Sequence, residues 1–154
     1  VYDSVKLALA ATDKTEEVRT DLTRRAIGDL SMRLAGTYAM QVFGKPDRAV
    51  NCDCERVNQP TLLQSIFLQN DPLMDQRIHD SGWLDEISRR LSDGAELDQE
   101  RLVRDAWLRT LSRPPTPAER SRAVKHLASA DSTIDGLRDL LWALINTKEV
   151  ILLH

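Results

Sequence analysis

Arg113-Pro114-Pro115-Thr116-Pro117-Ala118-Glu119 decides the fold class. Pro114-Pro115 cannot continue a helix, because proline lacks the amide hydrogen and restricts the residue before it. Thr116 followed three residues later by Glu119 is a capping box, and Pro117 occupies the first helical position, where its missing N–H costs nothing. One helix must therefore end and another begin within a few residues. Upstream, Asp98 caps a helix carrying Leu102, Val103, Ala106, Trp107, Thr110 and Leu111 at helical spacings. Downstream, Ser132-Thr133-Ile134-Asp135 repeats the start signal before a face of Leu137, Leu141, Leu144 and Ile145. The connections after Gly94, Pro114 and Ser129 are short, which predicts that the last three helices pack as antiparallel neighbours.

Toward the N-terminus the same signals recur. Ser81-Gly82 precedes a helix with Leu84, Ile87 and Leu91 inward, stopped near Gly94. Asn70-Asp71-Pro72 ends one short helix, whose buried face is Leu62, Leu63, Ile66 and Phe67 after Pro60, and starts another running to His79. Lys45–Gln59 has neither helical nor strand periodicity and reads as a long structured polar loop, a length that in compact domains points to function or partner binding. Before it, Val18, Leu22, Ala26, Leu30 and Leu34 recur every four residues, but Gly28 and Gly36 each cost about 1 kcal/mol in a helix interior. The expectation is a helix over Thr15–Ala26, an irregular piece around Gly28–Gly36, and a short helix over Thr37–Phe43. The first segment, Tyr2–Ala11, puts Val1, Val5, Ala8 and Leu9 on one helical face, with the stripe ending at Leu9. No alternating strand pattern with turn chemistry at both ends occurs. The fold class is all-α: a compact single domain over 1–154 with about six to eight helices and one long polar loop.

Composition agrees. The 154 residues are 42% hydrophobic and 29% charged, with Lys+Arg 21 against Asp+Glu 24 and a net charge of −3. That is globular composition. A weakly acidic total disfavours a dedicated nucleic-acid binder. No apolar run approaches the roughly 20 residues that span a bilayer. The chain opens at Val1 without a basic-then-apolar leader, so the expectation is a piece of a longer protein. The apolar run Leu140–Ile145 close to His154 predicts a docked C-terminus.

The chemistry-bearing residues concentrate in the loop. Cys52 and Cys54 form a C-x-C; a bridge between them would be strained and reducible, whereas metal ligation needs two more donors, and His79, His126 and His154 show no ligand spacing. The favoured reading is structural thiols or partners for cysteines elsewhere. Asp53 and Glu55 alternate in an extended stretch and so share a side, as an acid–base pair would. The simpler role has Arg48 and Arg56 pinning the loop through bidentate bonds to carboxylates and carbonyls. Asn51, Asn58 and Gln64 suit the same task.

Elsewhere, Glu100–Lys125 carries Arg101, Arg104, Arg109, Arg113, Arg120, Arg122 and Lys125 against three acids, a net of +4 that leaves −7 on the rest of the chain. It reads as solvated outer helix faces, with contact to anionic glycans or an acidic neighbour as the alternative. Trp83, Trp107 and Trp142 read as core or boundary residues; a sugar-stacking platform would need one of them exposed. His79 and His126 read as isolated structural residues. Walker, G-x-S-x-G, H-E-x-x-H and G-x-G-x-x-G patterns do not occur.

Several motifs follow one another in a recognisable order: Phe43-Gly44-Lys45-Pro46-Asp47-Arg48, Cys52-Asp53-Cys54-Glu55-Arg56, Gln59-Pro60-Thr61-Leu62-Leu63-Gln64 and Asn70-Asp71. Thr110-Leu111-Ser112-Arg113-Pro114-Pro115-Thr116 and Asp139–Glu149 come later. Together they resemble the C-terminal domain of unknown function found in large secreted planctomycete proteins, over nearly the whole chain. The ending Val150–His154 departs from that pattern, where a Phe-rich finish is usual. The resemblance implies an exported (secreted or periplasmic) parent protein whose haem sits on an upstream cytochrome-c-like domain. This chain has no C-x-x-C-H, so no cofactor is expected on it. It carries over no reaction to named residues.

The resulting expectation is a non-catalytic accessory or interaction domain. It would pack against upstream domains of its own polypeptide through Lys45–Asn70, with Arg48, Cys52, Asp53, Cys54, Glu55, Arg56, Gln64 and Asn70 as the partner-facing set. The alternatives are loop residues completing a polysaccharide-processing or redox site shared with another domain, and an anionic-glycan binding module.

Overall fold

The computed structural model describes residues 2–21 and 72–153. Among them the chain is all-α, a helical bundle: α1 (Tyr2–Leu9), a 3-10 turn (Thr12–Lys14), α2 (Thr15–Thr20), α3 (Pro72–His79), α4 (Gly82–Ser92), α5 (Gln99–Leu111), α6 (Pro117–Ser129), α7 (Thr133–Ile145) and α8 (Lys148–Leu153). No described helix is long and apolar enough to cross a membrane.

Helices α5 and α7 form the centre. They pack on each other and both contact α6; α1 and α8 lie against α5, and α3 and α4 against α7. The buried face of α5 is Leu102, Val103, Ala106, Trp107, Thr110 and Leu111, the set its spacing predicts. Thr110 is tolerated there because its hydroxyl donates to the Ala106 carbonyl at 2.7 Å. On α7 the buried set Gly136, Leu137, Leu140, Leu141, Leu144 and Ile145 is wide enough to meet two layers of neighbours. Val103, Ala106, Leu137 and Leu141 have 0% of their surface exposed. Val5, Ala8 and Leu9 bury α1 as expected, and Met74, Ile78, Trp83, Leu84 and Ile87 do so for α3 and α4. Leu91, at the end of the α4 face, is partly buried.

The start signals hold. Thr116 Oγ1 accepts from the Glu119 amide at 3.3 Å while a Glu119 carboxylate oxygen accepts from the Thr116 amide at 2.7 Å, closing the capping box. Asp98 Oδ1 accepts from the Glu100 amide at 2.9 Å, and Ser132 Oγ from the Asp135 amide at 3.0 Å. At Ser132 the reciprocal half differs from a capping box: the Asp135 carboxylate takes the Ser132 hydroxyl at 2.6 Å and Arg138 at 2.6 Å. Gly94 closes α4 with φ +78°, a left-handed position that glycine adopts without strain.

One expectation is corrected, and two details lie outside the sequence pattern. The helix expected over Thr15–Ala26 stops at Thr20: Asp21 is extended (φ −76°, ψ 100°), and the Thr20 hydroxyl bonds back to the Glu16 carbonyl at 2.8 Å. The break at Pro114-Pro115 falls where expected, and Ser112 closes α5 two residues before it by turning left-handed at φ 56°. Short α8 has no counterpart in the sequence pattern, yet it docks the C-terminal region as expected, with Val150 2% exposed. The expected pieces Gly28–Gly36, Thr37–Phe43, the Lys45–Gln59 loop and the Pro60 helix lie outside the described residues.

Candidate functional site

Arg48, Cys52, Asp53, Cys54, Glu55, Arg56, Gln64 and Asn70, the whole predicted partner-facing set, also lie outside the described residues. The described chain offers three other polar constellations, all involving the basic segment Glu100–Lys125.

The first is a junction between the end of α1 and the bundle. A helix leaves its last carbonyls without intrahelical partners. Here they are met from far along the chain. Arg109 Nη1 donates to the carbonyls of Ala10 at 2.8 Å and Ala8 at 3.4 Å, and Nη2 to Thr12 Oγ1 at 2.7 Å. Ser81 Oγ donates to the Leu9 carbonyl at 2.9 Å and accepts from the Leu84 amide, so one hydroxyl ends α1 and caps α4. Glu86 Oε2 accepts from the Thr12 amide at 3.0 Å. The Arg109 guanidinium also stacks over Trp83, 4.9 Å from the ring centroid. A cation at a helix C-terminus meets the negative end of the macrodipole. Burial pulls the Arg109 value below that of an ordinary arginine, against the opposing pull of Glu86 and Asp105. The Thr12 amide, chiefly, holds the Glu86 carboxyl below the usual glutamate value. The approach is tight: a Cβ on Gly82 would lie 2.9 Å from the Ala11 backbone nitrogen.

The second constellation is a double clamp on Arg113, which spends all five N–H donors. Nε and Nη2 hold Glu149 at 2.7 and 2.9 Å; Nη1 and Nη2 hold Glu119 at 3.0 and 2.9 Å; Nη1 also reaches the Pro114 carbonyl at 3.2 Å. The three side chains are each roughly a third exposed. Hydrogen bonds from Arg113, with a second from the Thr116 amide, bring Glu119 down to about 2. Glu149 is lowered by the same guanidinium, and the two carboxylates raise Arg113 in turn. The clamp ties α8 to the start of α6.

The third is an open groove of about 700 Å³ beside α5, the α5–α6 connection and the start of α6. Its apolar part is Leu108, 41% exposed, with Pro114 and Pro115; its rim includes Arg101, Arg104 and Arg120. Arg120 faces Glu100 at 3.6 Å.

The basic stripe is therefore not one uniform solvated face. Arg109 and Arg113 are structural ties, whereas Arg101, Arg104, Arg120, Arg122 and Lys125 are exposed. Trp83 and Trp107 are buried, but Trp142 is 43% exposed, more open than a core or boundary position. His126 is exposed and lies 3.6 Å from Asp139; His79 is exposed at the end of α3. Among the described residues no three His, Cys, Asp or Glu side chains gather as a metal site.

A protein-family model matches residues 2–127, which hold the α1–α4 junction, the groove and, of the Arg113 clamp, Arg113 and Glu119. The chain belongs to PSD1, a family of proteins of unknown function (DUF1553). Trp142 and Glu149 lie beyond the PSD1 match, so the outer jaw of the Arg113 clamp comes from the following segment. No curated protein and no solved structure matches the chain.

Proposed function

We propose that this PSD1 chain is a non-catalytic helical interaction domain that docks against another part of the protein it belongs to. The observation that carries the reading is the α5–α6 groove. Leu108 stays 41% exposed beside Pro114 and Pro115, inside a charged rim, which is the anatomy of a protein-binding patch: apolar centre, polar border. The setting we propose, an exported planctomycete protein with a haem-bearing domain upstream, is supported by the ordered motifs from Phe43 to Glu149 and their resemblance. A full reading frame that lacks an export signal and further domains would remove that setting.

Hydroxyl-radical footprinting tests the role itself. In the intact parent protein, Leu108 and Pro115 are expected to be protected relative to the 154-residue chain alone. Equal labelling in both would overturn docking through the groove, and the same map reads Arg48 and Arg56 for the loop route.

A second reading, contact with extracellular polysaccharide, has one observation in its favour: the exposed ring of Trp142 is free to stack on a sugar face. It predicts quenching or enhancement of Trp142 fluorescence by oligosaccharide, abolished in Trp142→Leu. No change across neutral and anionic glycans would remove it.

A further inference from the structure

The groove has more charge chemistry than an interaction surface requires, and its bookkeeping is uneven. The lining holds three carboxylates and three guanidiniums: Asp98 caps the Glu100 amide, Glu100 faces Arg120 at 3.6 Å, and Asp105 is half-buried within the electrostatic reach of Arg109. Arg101 and Arg104 are exposed, and neither side chain makes a hydrogen bond or ion pair among the described residues. Arg101, Arg104 and Leu108 stand at i, i+3 and i+7 and so share one face of α5. Two free guanidiniums thus lie beside an open apolar spot.

From this we infer that the groove receives an acidic segment of a protein partner, an apolar residue seated on Leu108, Pro114 and Pro115 and carboxylates on Arg104 and Arg101. The inference rests on the interaction role proposed above and names its ligand chemistry. Spacing sets the partner's pattern. Along α5, Arg104 lies about 6 Å and Arg101 about 10 Å from Leu108. An extended peptide rises about 3.3 Å per residue and alternates sides, so acids at the second and fourth positions from the apolar anchor share its face and fall within reach of the two long arginine side chains. Carboxylates suit the two arginines because each guanidinium can grip both oxygens at once. An anionic polysaccharide would use the same two cations and meet the same carboxylates as an acidic peptide, but it would have no use for Leu108. The apolar floor therefore favours peptide.

The experiment titrates the 154-residue chain with a short synthetic peptide holding one Leu preceded by Glu at the second and fourth positions. Parallel titrations use its Gln counterpart, its Leu→Ser counterpart and a heparin-derived oligosaccharide, all followed by fluorescence anisotropy. Binding of the acidic peptide is expected, weakened about tenfold or more by either change in the peptide and by Arg101→Gln/Arg104→Gln or Leu108→Ser in the chain. These positions are exposed, and unchanged circular dichroism and melting temperature confirm that the variants fold. No binding, binding indifferent to the variants, or oligosaccharide binding that survives Leu108→Ser would each overturn the acidic-peptide assignment. If the peptide fails while footprinting still shows Leu108 protected in the parent protein, the docking role stands and only its ligand chemistry falls; loss of both removes the role as well.

Discussion

The bundle α5–α7 and the junction of α1 with α4 solve the same problem by opposite means. In the bundle, each helix start is capped by a side chain two or three residues before the amide it serves: Asp98, Thr116 and Ser132. At the junction the carbonyls ending α1 are met by Ser81, 72 residues away, and by Arg109, 99 and 101 residues away. Local capping stabilises a helix wherever it goes. Distant capping stabilises it only when docked, so α1 depends on the rest of the fold more than α6 does.

The largest expected effect serves as a reference. Leu141→Ala, at a position with no exposed surface on the central helix, should cost about 2–5 kcal/mol by urea unfolding. Next comes Arg109→Gln, which leaves the Ala8 and Ala10 carbonyls without their donor; a loss of about 2–3 kcal/mol is expected. Hydrogen exchange should accelerate chiefly over residues 2–14. Acceleration spread equally over α5–α7 would break the contrast between the two regions.

Gly82→Ala sharpens it. Alanine ordinarily gains up to about 1 kcal/mol over glycine in a helix. Here its Cβ would stand 2.9 Å from the Ala11 nitrogen, and forced backbone shifts cost about 1–3 kcal/mol. A net loss confined to the junction is expected; a more stable variant would show that the approach is soft. Thr116→Ala, by contrast, removes one local cap and should cost about 1 kcal/mol.

The smallest effect is in pH. Glu119, at about 2, and Glu149 and Glu86, both lowered, sit below the ordinary glutamate value of 4.5 in the folded state. The unfolded chain therefore takes up protons first on acidification. The contribution of these groups is complete above pH 4.5 and is lost as pH falls toward 2. Partial exposure keeps it small. Melting curves from pH 6 to 2.5 should show that decline, and Arg113→Gln should flatten it by returning Glu119 and Glu149 toward ordinary values.

What sequence could reveal follows the same division. The face of α5, the capping box at Thr116 and the helix stop at Gly94 are legible because each is written within a few residues. The roles of Arg109 and Arg113 are not: in sequence they are two members of a basic run, and what removes them from it are carbonyls and carboxylates up to 101 residues distant. The end of α2 at Thr20 is not legible because a repeat every four residues registers apolar spacing, not the back-bonding of Thr20. Exposure of Trp142 depends on which neighbours α7 acquires, and its own context of Leu141 and Ala143 is silent on that. The predicted loop residues lie outside the described part, whereas the groove leaves no mark in the sequence because Leu108 looks like any other leucine on a helix.

One oxygen atom joins distant parts of this domain. Oε2 of Glu119 accepts both the Thr116 amide, at 2.7 Å, and Arg113 Nη1, at 3.0 Å, while the same guanidinium grips Glu149 on the final helix. A single proton arriving there would loosen the first turn of α6 and strip Arg113 of one of its two anchors, leaving Glu149 alone to hold it. The terminal helix and a turn thirty residues before it in the chain therefore share one cation, and slack at either end reaches the other through it.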